Sequence, residues 1–415
     1  MDAVREPMRR GVHGSGTAEI MVKQGSTTTG GRFDDFQLLI GLFLLSLDFV
    51  QVGGAHLSQL WAVMVLPLLF IKRSIHVTGR EVLVYALFMA VAVLVTLFAG
   101  YPHTKEIQQI IKFSVVYPGF FLIGRHFGSQ YLRTRLPYGY AMLIGFLLFQ
   151  LALQKLEIPV LYEKVDFMQD AIHGSFGERN WFAFFFFATS YVLFLQSSRE
   201  PADVVRFLAF GVANALLSES KTVLIPCGIV MLTQVKGYNG IKLLLLAAGG
   251  ALYFYRFGGE LSGDLLRVRI EEERGLAFTT SLDLAEKDWL GYGFGFVENY
   301  FSNLALGIKG LGSGTNSIFC APLDLMLIAG VPGVIAWLVF FCGVGLGWST
   351  VLLLAPIAAW SLTNPMHQSE GVYLLIGYLV SWGRGMQPAV DRAALNQHPR
   401  AGHFVSAVET HGDPI

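Results

Sequence analysis

Long apolar stretches recur along this chain, from about residue 36 to residue 382. Their length constrains the fold first, because an apolar helix needs about 20 residues to cross the hydrocarbon core of a bilayer. The stretches fall at 36–52, 57–71, 81–99, 107–124, 136–154, 181–196, 205–217, 222–235, 241–255, 317–345, 348–362 and 371–382. Only 14% of residues are charged and the mean hydropathy is +0.52, where a soluble chain would carry about 25% charge. The spacing predicts an all-α, polytopic membrane protein with about twelve spans, some short enough to sit where the bilayer thins.

The polar segments divide the chain. Residues 1–35 read as a disordered tail with basic residues. Residues 36–256 carry spans one to nine, with a polar loop at 155–179. Residues 257–315 form a large polar loop, 316–384 carry spans ten to twelve, and 385–415 read as a polar, disordered tail. The first apolar stretch has no small-residue cleavage site behind it, so no removable leader is expected. Lys72, Arg73, Arg80, Arg125, Arg133, Arg135, Arg199, Arg206, Lys236 and Lys242 fall in alternate short loops. The positive-inside rule then puts both termini in the cytoplasm and the two long loops outside. The formal net charge is zero, which suggests no nucleic-acid partner. Cys227, Cys320 and Cys342 lie in apolar spans, so neither a disulfide framework nor a metal site is expected. No inverted pair of broken helices marks a carrier.

Four constellations could carry chemistry. His173-Gly-Ser-Phe-Gly-Glu178-Arg179-Asn180 leads into the sixth span. Its glycines permit tight turns, Asn180 can cap the helix, and a helix start favours anions; the bland alternative is a capped glycine turn. Ser218-Glu219-Ser220-Lys221 joins spans seven and eight, where Lys221 is either a snorkelling anchor or a point charge for phosphate. The large loop holds Arg267 and Arg274, seven residues apart and so on one face of a helix. It carries five Lys/Arg against nine Asp/Glu, so any anion site there is local. Its Gly291, Gly293 and Gly295 alternate with aromatics that either anchor at the interface or stack on sugar rings. Last, Asn316 and Asp324 lie in a tenth span broken by Pro322 and Pro332, with Asp324 about two turns from its outer end. Asp324 and Lys112 are ionisable residues within spans; such residues usually face a cavity, and a structural Lys–Asp pair is the alternative.

In order and topology these stretches resemble the O-antigen ligase and Wzy-type polysaccharide polymerase superfamily. HGSFGERNWFAFFFF is similar to the family's glycine-aromatic-asparagine helix start, and LLSESKTVL to its Thr-x-Ser-Arg segment. RGLAFTTSLDLAEKDWLGYGFGFV is similar to its Arg, acidic, then Gly-x-Gly-x-Gly run, and TNSIFCAPLDLMLIAGVPGV to its His-Asn helix start with Gly-x-x-Gly. The matched part covers roughly residues 170–340. His173 stands where the family usually has Arg, Lys221 replaces Arg, and Thr315 replaces the ligase histidine, a loss that favours a polymerase over a ligase.

The resemblance implies a donor oligosaccharide on undecaprenyl pyrophosphate at the outer face of a bacterial inner membrane. The acceptor is a second lipid-linked chain. A chain-length regulator and a flippase are the implied neighbours, and no cofactor or metal is called for. Arg274, Lys221, Arg179 and Arg267 would meet the pyrophosphate. His173, Glu178 or Asp324 would act as base. Asn180, Gly291, Gly293 and Asn316 would position sugar or backbone. The alternatives are a ligase moving glycan to lipid A-core or another acceptor, and a non-enzymatic flippase or exporter.

Overall fold

The protein is seen in a computed structural model that describes residues 29–71, 79–98, 100–103, 105–129, 138–162, 171–235, 273–303, 320–338 and 347–397, with isolated positions between them. Among these the chain is all-α, apart from one two-residue hairpin. The helices are α1 (Thr29–Leu45), α2 (Leu57–Ile71), α3 (Gly79–Phe98), α4 (Glu106–Ser129), α5 (Tyr140–Leu156), α6 (Arg179–Gln196) and α7 (Pro201–Leu217). They continue with α8 (Leu224–Gln234), α9 (Glu273–Lys287), α10 (Phe296–Asn303), α11 (Ala321–Leu338), α12 (Trp348–Ser361) and α13 (Glu370–Gln397).

Among the described residues two helices, α3 and α4, are long and apolar enough to cross a membrane. The outer surface of α3 supports that environment. Val82, Leu83, Leu87, Leu94, Leu97 and Phe98 are exposed, while Phe88, Ala92 and Thr96 face inward at a four-residue period. A helix that shows water this much hydrocarbon would be an aggregation surface; lipid covers it without penalty.

Three boundaries differ from the sequence expectation. Helix α1 starts at Thr29, inside the expected tail, and stops at Leu45. Gly53 and Gly54, at φ 61° and 83°, then turn a hairpin that pairs Gln51 with His56. Asp48 therefore lies in a turn and not in a span. Helix α13 runs to Gln397, through residues expected to be disordered; Arg392, Ala393, Ala394, Leu395 and Gln397 are strong helix formers. Pro322 does not break α11. It sits in the first turn, where its missing N–H has no intrahelical partner to lose.

Helix α4 contains a π turn at Lys112–Val116. Pro118 explains how it is tolerated. The Tyr117 N–H bonds the Lys112 carbonyl in the i+5 pattern, so the Phe113 carbonyl would next require a donor at residue 118, where proline has none. The Tyr85 hydroxyl of α3 donates to that carbonyl instead.

The tightest packing joins α4 to α13, with the Tyr117 and Tyr373 rings stacked at 4.6 Å. At the opposite end of α4, the Arg125 guanidinium meets the Glu81 carboxylate of α3 at 2.9 Å, both buried. Removing one partner strands the other's charge. Arg125→Ala is therefore expected to destabilise the protein by about 3–5 kcal/mol, whereas Arg125→Met combined with Glu81→Leu restores most of the loss. Thermal melting in detergent checks this, and equal melting of the single and double variants would refute it.

Candidate active site

One end of the bundle gathers the C-termini of α1, α3, α5 and α7 and the N-termini of α2, α4, α6, α11 and α13. The HGSFGERN loop is built into this end by side chains of α5. Gln154 Oε1 accepts from the N–H groups of His173 (2.9 Å) and Gly174 (3.0 Å), and Gln150 Oε1 accepts from Ser175 N–H (2.7 Å). Gly174 adopts φ 56°, and a Cβ there would strike Gln150 at 2.1 Å. The turn after α1 is clipped to the same loop, since Phe49 N–H donates to the Ser175 carbonyl at 2.7 Å. Three amides that a glycine loop would otherwise offer to an anion are thus already used.

Asn180 is not the cap of α6. Glu178 occupies that position with extended geometry and makes no side-chain cap. Asn180 Nδ2 donates to Glu178 Oε1 at 2.7 Å, while its Oδ1 accepts from Ser220 Oγ at 2.8 Å. With the Ser220 proton so committed, the Thr222 hydroxyl is the donor in its 2.8 Å contact with Ser220. A chain Thr222–Ser220–Asn180 therefore ends on the Glu178 carboxylate. It joins the HGSFGERN and SESK segments, 40 residues apart in sequence. Arg179 lies 3.6 Å from Glu219 of the second segment, both partly exposed. Lys221 opens a 3-10 turn leading into α8. The structure thus gathers Glu178, Arg179, Asn180 and Lys221.

His173 is only 1% exposed and lies against the Tyr162 ring at 5.3 Å. Its Nδ1 faces the Phe176 carbonyl at 3.0 Å, so Nδ1 carries the proton and Nε2 the lone pair. Burial lowers its pKa, the hydrogen bond to Phe176 opposing. Asp324 lies in the first turn of α11, nearer the helix end than expected. It is fully buried 3.8 Å from His367, itself fully buried, and burial pushes that imidazole down to about 3. Its titratable neighbour at this distance is thus His367, in the neutral form.

Gly291 and Gly293 act through the backbone. Helix α11 is broken at Gly330, which has φ 63°, and Pro332 removes the donor that the Ile328 carbonyl would need. Gly293 N–H donates to that carbonyl at 3.0 Å and Tyr292 N–H to the Leu327 carbonyl at 2.6 Å. Val331 N–H donates to the Trp289 carbonyl at 2.9 Å. Gly293 itself lies against Thr96 of α3, where a Cβ would come within 2.6 Å of its Cα. The loop aromatics Tyr292, Phe294 and Phe296 are buried, leaving Trp289 as the exposed ring of the run. Arg274 lies on α9; Arg267 and Asn316 lie outside the described residues.

Sequence reasoning missed a second polar group at this end. Asp48 and His56 come from the connection between α1 and α2, Glu370 from the start of α13 and Lys112 from the π turn of α4. His56 Nδ1 donates to the Asp48 backbone carbonyl at 2.6 Å and lies 3.9 Å from its carboxylate. Gln59 Nε2 donates to Glu370 Oε1 at 2.7 Å. The Asp48 carboxyl is pushed up to about 6 by desolvation and by Glu370. His56, the Gly177 backbone N–H and Lys112 oppose the rise. Asp48 nevertheless keeps 34% of its side-chain surface exposed. No family model matches the chain, and no curated protein matches it.

Proposed function

We propose that this chain is a polysaccharide polymerase of the O-antigen ligase and Wzy-type superfamily. It would span a bacterial inner membrane about twelve times, with its termini in the cytoplasm and this site on the outer face. The donor is an oligosaccharide on undecaprenyl pyrophosphate, and the acceptor is the hydroxyl of a second lipid-linked repeat unit. The observation that carries the reading is the junction of the two segments at Asn180 and Ser220. It sets Arg179 and Lys221, two cations suited to a pyrophosphate, on adjoining turns. Arg274 and Arg267 of the large loop are the proposed further cations. Of the proposed bases His173, Glu178 and Asp324, Glu178 is the least buried.

Lipid-linked glycans from a deletion strain, sized by mass spectrometry, test the reading. Single repeat units on undecaprenyl pyrophosphate at the outer face are the expected result. Long lipid-linked polymer would make the protein a ligase instead, and single units held at the cytoplasmic face would make it a flippase.

A further inference from the structure

We propose that Asp48 is the catalytic base that takes the proton from the acceptor hydroxyl, and that Lys112 and the Gly177 N–H position its carboxylate. This rests on the glycan-transfer reading of the site above.

Placement comes first. Gly177, whose amide supports the Asp48 carboxylate, precedes Arg179 by two residues, a backbone reach of at most about 7 Å. The turn bearing Asp48 is fixed to the same loop through the Phe49–Ser175 hydrogen bond and through Gln150, which donates to the Ser46 carbonyl at 2.7 Å. A base and a pyrophosphate cation therefore lie within one substrate's length on a hydrogen-bonded frame. Access comes second. Asp324 and His367 are sealed, His173 is covered, and the Glu178 carboxylate already accepts from Asn180. Asp48 is partly open.

Charge comes third. The Lys112 side chain is half-buried, and among the described residues its recorded interaction is the electrostatic one with Asp48. The π turn begins at this residue, a local distortion often found at functional sites. Lys112 and Glu370 act on the Asp48 carboxylate with opposite sign, and His56 lies 3.9 Å from it. A carboxylate held near the working pH is an efficient proton acceptor.

The step balances. The acceptor O–H bond breaks and its proton passes to Asp48. The oxygen electron pair forms the new bond to the donor anomeric carbon. The bond from that carbon to the pyrophosphate oxygen breaks, and the pair leaves with the lipid pyrophosphate. Asp48 then returns its proton to water.

The test uses the full chain in proteoliposomes with the lipid-linked repeat unit as donor and acceptor. Asp48→Asn is expected to lose about 10²–10⁴-fold in transfer, with unchanged melting, while Asp48→Glu keeps a measurable fraction. Wild-type transfer should fall as pH drops through about 6, because only the deprotonated carboxylate accepts. Two further variants separate a chemical role from a structural one. Glu370→Gln removes a like charge and should move the acid limb to lower pH; Lys112→Met should move it to higher pH. Transfer by Asp48→Asn within about threefold of wild type would overturn the assignment. Should Asp48→Asn fail to fold, an acid limb unmoved by both other variants would overturn it equally. Absence of transfer by the wild-type protein would remove the polymerase reading and this assignment with it.

Discussion

Under the proposed polymerase function, Arg179→Ala is expected to lower glycan transfer by about 10²–10³-fold while the protein folds and melts normally. The two halves of that expectation have separate causes. In transfer, negative charge builds on the departing pyrophosphate, and a guanidinium aimed there stabilises it more than the ground state. In folding, the visible ion pair is weak. Arg179 and Glu219 are 3.6 Å apart and 38% and 46% exposed, and such surface pairs contribute about 0–1 kcal/mol. Glu219→Ala should accordingly leave transfer near wild type. Arg179→Lys keeps the charge but loses the fork geometry, so it should fall between wild type and alanine. Initial rates in proteoliposomes, read beside melting curves, decide the matter. A normal rate for Arg179→Ala would remove this residue from the anion site.

Gly124→Leu is expected to prevent assembly of the bundle. The crossing of α4 and α13 brings backbone to backbone. A Cβ on Gly124 would lie 2.0 Å from the Leu374 carbonyl oxygen, one on Gly128 2.2 Å from that of Tyr378, and one on Gly377 2.0 Å from that of Phe121. None of these neighbours is a flexible side-chain tip that could swing aside. Gly124 and Gly128 share a helix face and Gly377 meets them from α13, the small-residue contact that lets membrane helices approach closely. Even alanine must push the helices apart. Overpacking of this kind costs about 1–3 kcal/mol per site, and leucine adds a side chain with no space to fill. Loss of folded protein from membranes, with Gly124→Ala accumulating at a lower melting temperature, is the expected pattern. Wild-type accumulation and melting of Gly124→Leu would refute it.

Much of the helical framework was legible because hydrocarbon length is a strong signal. The second apolar stretch and α2 share the bounds 57–71, and the eleventh stretch and α12 both start at Trp348. The junction of HGSFGERN with SESK was not legible, since its hydrogen bonds join residues whose spacing carries no period. Asp48 was hidden differently. It fell inside an apolar run and was absorbed into a span, until the glycine pair at residues 53 and 54 and the hairpin set it in a turn. Glu370 stood one residue before the last stretch, with nothing in its spacing to tie it to Asp48. Lys112 was visible as an ionisable residue in a span, but its neighbour was not, because the π turn follows from Pro118 together with Tyr85 on another helix. The prolines of the tenth span likewise looked equivalent. Only Pro332 lies at a break, because Gly330 takes a left-handed conformation two residues before it.

That break changes what the segment at 289–293 is. Its amides and a carbonyl occupy positions that a continuous α11 would have filled with its own, so the segment is in effect a missing turn supplied from elsewhere in the chain. Trimming it would not shorten a connection. It would leave the Leu327 and Ile328 carbonyls and the Val331 amide without partners beside α3, a helix long and apolar enough to cross a membrane, where water is scarce and unpaired backbone is costly. The large polar loop and the helix that follows it are, at this point, one structural part made from two stretches of chain.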